Sequence, residues 1–391
     1  MLVRLLTAMS LAVTLAVMVA AGDLAAQAPP AAPAQKPADQ AAEQAPKPPK
    51  EWPPDADTLA KRRQEAEAIP LFSSQDPIEV TITADWKPVQ RDRSVTSKKT
   101  YPATLTIVQG GAAGTPIPIQ LRTRGHSRRD PRTCEFAPLR LELPKDKTKG
   151  TVFEGHGAIK LGVHCQSEGV YLQYTLKEYL TNRLHNVLTP RSLRVRLANV
   201  TYADTNAGKK PFTKLGLFFE DIDDLAKRME ARELSVPRQL FEYVEQDQLL
   251  FMSLFQYMIG NTDYSIVALH NVIMLDDAKG VRRTVPYDFD YSGLVNAHYA
   301  RPFPKLPIVS VQDRLWRGPC KTEADINAAL APFREKKAEL LALPASLATL
   351  GLDDGSRKYT EKYLNEFFEI VGNPNKLKKN LVSDCKTGPG M

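Results

Sequence analysis

The chain has 391 residues, of which 43% are hydrophobic, and a formal net charge of +7 from 52 basic and 45 acidic side chains. The basic surplus is spread over both halves without a dense Lys/Arg block, which argues against a nucleic-acid partner. Residues 55–391 are too many for one small core, and their number fits a domain of two lobes.

The N-terminal 26 residues have the pattern of a secretory signal peptide. Arg4 precedes an apolar run over residues 5–21, and small residues follow it. A retained membrane anchor is the alternative, and contact with a membrane is expected only in that case. Residues 27–54, rich in Pro, Ala, Gln and Lys, predict a disordered tether. The protein is therefore expected to be secreted or periplasmic.

Four cysteines form an even set, which in an exported chain predicts two disulfides. Three pairings are possible. We favour Cys134 with Cys165, which lie in neighbouring strand-like segments, and Cys320 with Cys385, which would join the C-terminal helices. A zinc site is disfavoured because the chain has no Cys-x-x-Cys and its histidines do not cluster with the thiols.

Alternating apolar and polar residues predict an antiparallel sheet in the first half of the folded region. Its strands are expected at residues 78–82, 101–108, 117–121, 139–143, 158–163, 193–197 and 215–220. An amphipathic helix is predicted over residues 173–187 and would lie on this sheet. Residues 55–220 are thus expected to form a β-rich N-terminal lobe with one helix.

The character of the sequence changes after Asp221. Helices are predicted at residues 222–232, 246–259, 323–342 and 359–371, and a hairpin at 272–275 and 284–287. Residues 221–391 are therefore expected to form a mainly helical C-terminal lobe that carries the catalytic loop and a metal-binding hairpin. A short link at Glu220 and Asp221 would leave a nucleotide cleft between the two lobes.

Acids and amides gather between hydrophobic runs in residues 257–291. Gly-Asn-Thr-Asp at 260–263 follows an apolar helix, His270 and Asn271 precede the hairpin, and Pro-Tyr-Asp-Phe-Asp at 286–290 ends it. This is how a phosphoryl-transfer enzyme spaces a catalytic aspartate and its magnesium ligands. A hydrolase that uses the paired aspartates is disfavoured, because no nucleophile or metal signature of that class is present.

Each of these residues has a predicted role and a structural alternative. Asp263 would orient the attacking hydroxyl and take its proton, or it is an ordinary turn residue. Asn271 and Asp288 would hold Mg²⁺, which prefers oxygen ligands; the alternative for Asn271 is a strand-edge amide. Asp290 points the same way as Asp288 if the segment is a strand, and then either adds a ligand or shapes the site.

A phosphate clamp is the remaining requirement. Lys160 stands alone in an apolar strand, where it either binds phosphate with Glu178 as its partner or extends from a sheet edge to solvent. Arg124, in an Arg-Gly-His-Ser turn, would face phosphates, or it belongs to a basic surface hairpin. Glu220 would end the link between the lobes, where backbone groups hold adenine.

Four motifs together resemble the CotH kinase-like family. They are residues 122–128 (Arg-Thr-Arg-Gly-His-Ser-Arg), 215–223 (Leu-Gly-Leu-Phe-Phe-Glu-Asp-Ile-Asp), 260–263 with the later Asn271, and 286–290, and they occur in the family's order between residues 121 and 299. The resemblance implies an α+β, two-lobed protein-kinase-like fold, distantly HipA-like, with an antiparallel-sheet N-terminal lobe. It also implies Mg²⁺-dependent transfer of the ATP γ-phosphate to protein Ser or Thr.

Two departures from the pattern support an alternative function. Asn271 lies eight residues after Asp263. Typical protein kinases and HipA-type relatives have the metal-binding asparagine five residues after the catalytic aspartate, which makes the role of Asn271 less certain than that of Asp288. The family's lysine soon after the Arg-Gly-x-Ser segment is missing, so Arg132 or Arg140 substitutes for it or nucleotide binding is lost. The alternative is a catalytically silent protein that binds an envelope partner or a polymer, and the scarcity of ATP outside the cytoplasm favours it.

Overall fold

Seven strands of the first half form a closed sheet. The computed structural model describes residues 52–206, 208–236, 238–383 and 385. The strands of this half are β1 (Ile78–Ala84), β2 (Tyr101–Gln109), β3 (Ala112–Ala113), β4 (Ile117–Thr123), β5 (Leu139–Glu142), β6 (Ala158–Gly162), β7 (Val195–Asp204) and β8 (Phe212–Phe219). Their order is β1-β7-β8-β6-β5-β4-β2, and β1 also pairs with β2, which closes the sheet; β3 only extends β2.

The predicted fold class was wrong. The prediction was an α+β, two-lobed, kinase-like fold with an antiparallel-sheet N-terminal lobe and a mainly helical C-terminal lobe, whereas the sheet is closed and mixed. Strand β1 runs parallel to β7 and antiparallel to β2. Alternation in a sequence identifies strands but contains no information on which strands pair, so the two partners of β1 could not be read from it.

The closed sheet encloses its own apolar core. Inward-facing residues of β1 are fully buried together with residues from β2, β4, β6 and β7, among them Ile82, Leu105, Leu121, Ile159 and Val200. The polar residues that alternate with them face outward. The short helices α1 (Ala56–Glu67) and α2 (Trp86–Arg91) lie in the same half of the chain.

The second half combines helices with a small sheet. This sheet has the order β11-β10-β9, with β9 (Ala231–Glu233), β10 (Val272–Asp277) and β11 (Arg282–Pro286) all antiparallel. The remaining helices are α3 (Gly169–Leu188), α4 (Ile222–Arg228), α5 (Gln246–Ile259), α6 (Glu323–Ala329), α7 (Ala331–Glu335), α8 (Lys337–Ser346), α9 (Asp354–Gly372) and α10 (Pro374–Leu377).

Two predicted helices differ from the structure. The helix expected at 222–232 ends at Arg228, because residues 231–233 pair with β10 instead. The helix expected at 323–342 breaks at Leu330 and again at Lys336 into three short ones. Pro332 explains the first break, because proline has no N–H to continue the hydrogen bonds of the preceding helix and is tolerated in the first turn of a new one. The hairpin formed by β10 and β11 is as predicted.

Helix α3 packs between the closed sheet and the C-terminal helices. Its residues Leu176, Leu180 and Leu184 are buried with Leu254 of α5 and Phe367 of α9. The same core includes residues of β7 and β8, so α3 packs on the closed sheet as well. The polar side chains of α3 that lie between these contacts therefore have a fixed position relative to both halves.

Both predicted cysteine pairings are confirmed. Cys134 is bonded to Cys165 with 4.6 Å between their Cα atoms, and Cys320 is bonded to Cys385 with 5.4 Å. Two disulfides fit an extracellular or periplasmic location. The predicted signal peptide and nearly all of the predicted tether lie outside the described residues. Within the described ranges, none of the helices is long and apolar enough to cross a bilayer.

Candidate functional site

The charged motifs converge where the turn after β4 meets strand β6, helix α3 and the chain that follows β11. Arg128 from the turn contacts both Glu178 on α3 and Asp290 after β11. The pKa of Asp288 is affected by the charges of Asp290, Arg128, Arg124 and Asp263, which places these groups near one another. The fold thus brings motifs more than 100 residues apart in the sequence into one charged cleft.

Gly260 makes the turn that carries Asp263. It ends helix α5 in the left-handed region, at φ 63°, and a Cβ at this position would collide with the hydroxyl of Tyr363. Only glycine meets both conditions without strain. The turn is then fixed by Asn261, whose Oδ1 accepts a hydrogen bond from the backbone N–H of Asp263 at 3.0 Å.

Asn271 and His270 hold the carboxylate of Asp263. The Nδ2 of Asn271 donates to the Asp263 backbone oxygen at 2.8 Å and to its Oδ2 at 3.1 Å, and the Nε2 of His270 lies 3.1 Å from Oδ1. This hydrogen bond to Asp263 raises the pKa of His270. Asn271 has a left-handed φ of 53°, which is uncommon outside glycine. Asn271 is therefore in contact with Asp263 although the two residues are eight positions apart.

Asp288 and Asp290 have different environments. Strand β11 ends at Pro286 and Asp288 has a φ of 62°, so the strand geometry that would align the two carboxylates is not formed. Asp290 is buried, where it pairs with Arg128 at 2.7 Å and accepts from the Tyr299 hydroxyl at 3.2 Å. Asp290 therefore shapes the site.

The carboxylate of Asp288 is available to a ligand. It is accessible to solvent and forms no hydrogen bond or ion pair with any side chain in the part of the chain that the structure describes. The surrounding protein, followed by the negative charge of Asp290, raises its pKa to about 6. A carboxylate in such a setting gains most from a cation that enters with a ligand.

Arg124 and Lys160 are cations without acidic partners. Neither forms a salt bridge among the described residues, and the Nε of Arg124 is buried without a hydrogen-bond acceptor there. Burial, followed by the positive charge of Arg124, lowers the pKa of Lys160 to about 8. Arg124 also acts on Asp288, so the two cations and this carboxylate share one neighbourhood.

Two of the predicted nucleotide-binding residues have other partners. Glu178 pairs with Arg128 at 3.2 Å instead of Lys160. Glu220 is 1% exposed, and its carboxylate accepts from Arg194 at 2.8 Å and from Arg228 at 2.7 Å. The backbone N–H of Glu220 already donates to the carbonyl oxygen of Arg194, so Glu220 anchors the fold and has no free donor for adenine.

Sequence reasoning missed three residues of the cleft. Arg128 belongs to the basic motif, but its two buried partners could not be read from the sequence. His270 is next to Asn271, and that position was the available signal for it. Glu233, on β9, lies near Lys160 and gave no signal, because it stands among other charged residues.

The oxygen donors fit a hard divalent cation. Asp288, Asp263 and the Asn271 amide offer two carboxylates and a carbonyl oxygen that accepts no hydrogen bond within the described ranges. No group of three or more His, Cys, Asp or Glu side chains able to hold a metal occurs among the described residues. Magnesium does not require one, because it retains several waters and is usually bound by one or two carboxylates together with phosphate oxygens.

No family model matches the chain, and no curated protein matches it. The resemblance of four motifs to the CotH kinase-like family stays a prediction from the residues.

Proposed function

We propose that this protein is an exported phosphotransferase that moves the γ-phosphate of ATP to a Ser or Thr hydroxyl of a protein, with Mg²⁺ as its cofactor. The observation that carries the proposal is that Asp288, Arg124 and Lys160 lie in one cleft and form no ion pair with one another or with other described residues. A metal-bound polyphosphate complements both signs of charge. Its metal faces the carboxylate and its oxygens face the cations.

The chain's own residues divide the work. Arg124 and Lys160 would bind phosphate oxygens, and Asp288 with Asn271 would hold Mg²⁺, which supplies neutralisation of the phosphate charge. Asp263 orients the acceptor hydroxyl. The hydroxyl oxygen bonds to the γ-phosphorus, the bond from this phosphorus to the β,γ-bridging oxygen breaks, ADP leaves, and Asp263 takes the hydroxyl proton.

The motif pattern supports the same reaction class. Each of the four motifs that resemble the CotH kinase-like family contributes a charged side chain to the cleft: Arg124, Asp221, Asp263 and Asp288. This support does not depend on the overall fold, because catalytic function lies in the site and similar sites occur on different folds. The Ser or Thr acceptor rests on the resemblance alone.

Two measurements on the purified protein test the proposal. One is its melting temperature with and without Mg²⁺ and ATP, and the other is the transfer of radiolabelled γ-phosphate from ATP to the protein itself and to casein. Ligand that binds only the folded state must raise the melting temperature. We expect a magnesium-dependent rise that Asp288→Asn abolishes. The matched control is Asp146→Asn, whose side chain is 71% exposed in a surface turn. A wild-type protein without any shift would contradict the proposal.

One observation favours the silent binding protein as a second candidate. Neither arginine that could replace the missing family lysine is free: Arg132 is 89% exposed and pairs with Asp130, and Arg140 pairs with Glu142 at 2.9 Å. Of the four basic side chains predicted to bind phosphate, only Lys160 and Arg124 would then remain to do so. A melting shift with ATP but no transfer to any acceptor would support the silent protein.

A further inference from the structure

Arg317 is a cation beside the turn that carries Asp263, and the proposed reaction does not use it. Its Nη1 donates hydrogen bonds to the backbone oxygens of Thr262 and Tyr264, each at 2.7 Å. The guanidinium also lies over the ring of Tyr264, with 4.9 Å between its central carbon and the ring centroid. Because Thr262 and Tyr264 flank Asp263, these contacts place Arg317 directly next to the residue that would receive the acceptor's proton.

The segment that carries Arg317 is fixed on both sides. Trp316, which precedes it, is 6% exposed and packs against Tyr257 of α5 in the helical core. Cys320, which follows it, is bonded to Cys385. A long side chain usually loses conformational freedom when it binds a ligand, and this loss reduces the affinity. Arg317 is already held by its backbone and by its own contacts, so it would lose little.

The charge of Arg317 is not neutralised by the protein. Within the described ranges Arg317 forms no ion pair, and the adjacent carboxylate of Asp263 is held by His270 and Asn271 instead. An arginine has five N–H donors. The two on Nη1 meet the two carbonyl oxygens, and the one on Nε is buried without an acceptor. Arg317 is only partly buried, and its Nη2 is neither enclosed nor hydrogen-bonded in the described part of the chain. Two donors with a positive charge are therefore open to a ligand.

The position of Arg317 favours the acceptor over the phosphate donor. Lys160 belongs to strand β6 and Arg124 follows β4, so both proposed phosphate-binding residues come from the closed sheet. Arg317 comes from the chain between β11 and α6, and it contacts the Asp263 turn itself.

We propose that Arg317 binds the carboxylate of an Asp or Glu side chain that lies close in sequence to the Ser or Thr receiving the phosphate. A fixed guanidinium with open N–H donors forms charge-assisted hydrogen bonds to a carboxylate. The acceptor is therefore an acidic segment of a protein. This inference rests on the proposed function, because it takes the acceptor hydroxyl to lie on Asp263.

Peptide acceptors that differ only in charge test the inference. Each peptide has one Ser, and Glu replaces Gln at one position at a time on either side of it. The whole protein transfers radiolabelled phosphate from ATP in Mg²⁺, and kcat and KM are measured for each peptide. The wild type should prefer Glu at one or more positions on the order of tenfold in kcat/KM, through a lower KM.

Variants of Arg317 assign this preference to its charge. Arg317→Gln should lose the preference and keep the wild-type kcat for the uncharged peptide, whereas Arg317→Lys should keep part of the preference. The matched control is Arg334→Gln. Arg334 also donates to backbone oxygens, those of Asn327 and Val371, but it lies on α7. This control should prefer Glu as the wild type does.

The wild type alone can overturn the inference. Absence of a preference for Glu at every position would do so, and this measurement decides if Arg317→Gln does not fold. The preference should also shrink as NaCl is raised, because salt screens an exposed ion pair. An unchanged preference in Arg317→Gln would overturn the inference and leave the proposed function standing. So would a lower kcat for all peptides with the preference retained, which would assign Arg317 to the phosphate donor. A wild type that transfers phosphate to none of the peptides and not to casein would refute both proposals.

Discussion

The guanidinium of Arg128 lies 2.7 Å from Asp290 and also 3.2 Å from Glu178, so one cation joins the loop after β11 to helix α3. Arg128 itself belongs to the turn after β4, and its side chain is 17% exposed. The bridge therefore connects three segments that are distant in sequence. Because Asp288 is two residues from Asp290, the bridge also determines where the unpaired carboxylate of the cleft lies.

Replacing Arg128 with Met should destabilise the fold. It would leave Glu178 and Asp290 as two buried carboxylates without a cation, and removing one partner of a buried ion pair typically costs about 3 kcal/mol or more. Urea unfolding at pH 7.5 measures this loss. Arg132→Met, at a surface arginine, should change the free energy of unfolding by less than about 0.5 kcal/mol. Equal stability of the two variants would show that the bridge contributes nothing.

Glu233 should make stability depend on pH. Its pKa rises from the ordinary 4.5 to about 7 on burial, so between these values the folded protein holds a proton that the unfolded chain has released. The stabilising contribution is complete below pH 4.5 and is lost as the pH rises through 7. Relative to Glu233→Gln, the wild type should lose on the order of 1–3 kcal/mol over this window.

Urea unfolding at four pH values between 4.5 and 7.5 tests this dependence. The difference between Glu233→Gln and the wild type should grow with pH, whereas Glu242→Gln should follow the wild type throughout because this acid is exposed. A constant difference between Glu233→Gln and the wild type would mean that Glu233 titrates normally.

Local features of this chain could be predicted from sequence, and tertiary pairings mostly could not. Helix α5 and the hairpin of β10 and β11 have strong periodicity over consecutive residues, and both were predicted. Closure of the sheet depends on Ile78 pairing with Ala198, and nothing in either segment encodes this partner. The cysteines are the exception, because an even set with few pairings restricts the choice.

The candidate site shows the same division. Asp263, Asn271 and Asp288 could be selected because they interrupt hydrophobic runs, and the structure brings them together. The partner of Glu178 was predicted to be Lys160, but Arg128 reaches it from the turn after β4. Which cation meets a buried acid depends on how the turn packs against α3, and the sequence contains no local trace of that packing.

The two disulfides should have different effects on ligand binding. The bond between Cys134 and Cys165 ties the segment that follows the Arg128 turn to the chain leading into α3, whereas the bond between Cys320 and Cys385 joins C-terminal segments. Replacing either pair with serine should cost about 3–4 kcal/mol, because each closes a loop of 31 or 65 residues.

Melting temperatures with and without Mg²⁺ and ATP separate the two roles. The Cys134→Ser, Cys165→Ser protein should lose most of the ligand-induced shift, since Arg128 would no longer be held between Glu178 and Asp290. The Cys320→Ser, Cys385→Ser protein serves as the control and should melt at a lower temperature but keep the shift. The same loss of binding in both proteins would mean that general destabilisation, and not the position of Arg128, is responsible.

Asp263→Asn should separate catalysis from binding. Asparagine keeps the size of the side chain and can still contact Asn271 and His270, but it cannot take a proton from the acceptor hydroxyl. Loss of a general base typically lowers a rate by 10²–10⁴-fold, so the initial rate of γ-phosphate transfer should fall within this range. The rise in melting temperature with Mg²⁺ and ATP should persist, because Arg124, Lys160 and Asp288 are unchanged.

Asp146→Asn is again the control and should retain both properties. An unchanged rate would make Asp263 a turn residue only. A general base is needed only when the hydroxyl reacts, so its loss should not affect ligand binding. Loss of both transfer and binding would therefore mean that the carboxylate of Asp263 is a metal ligand.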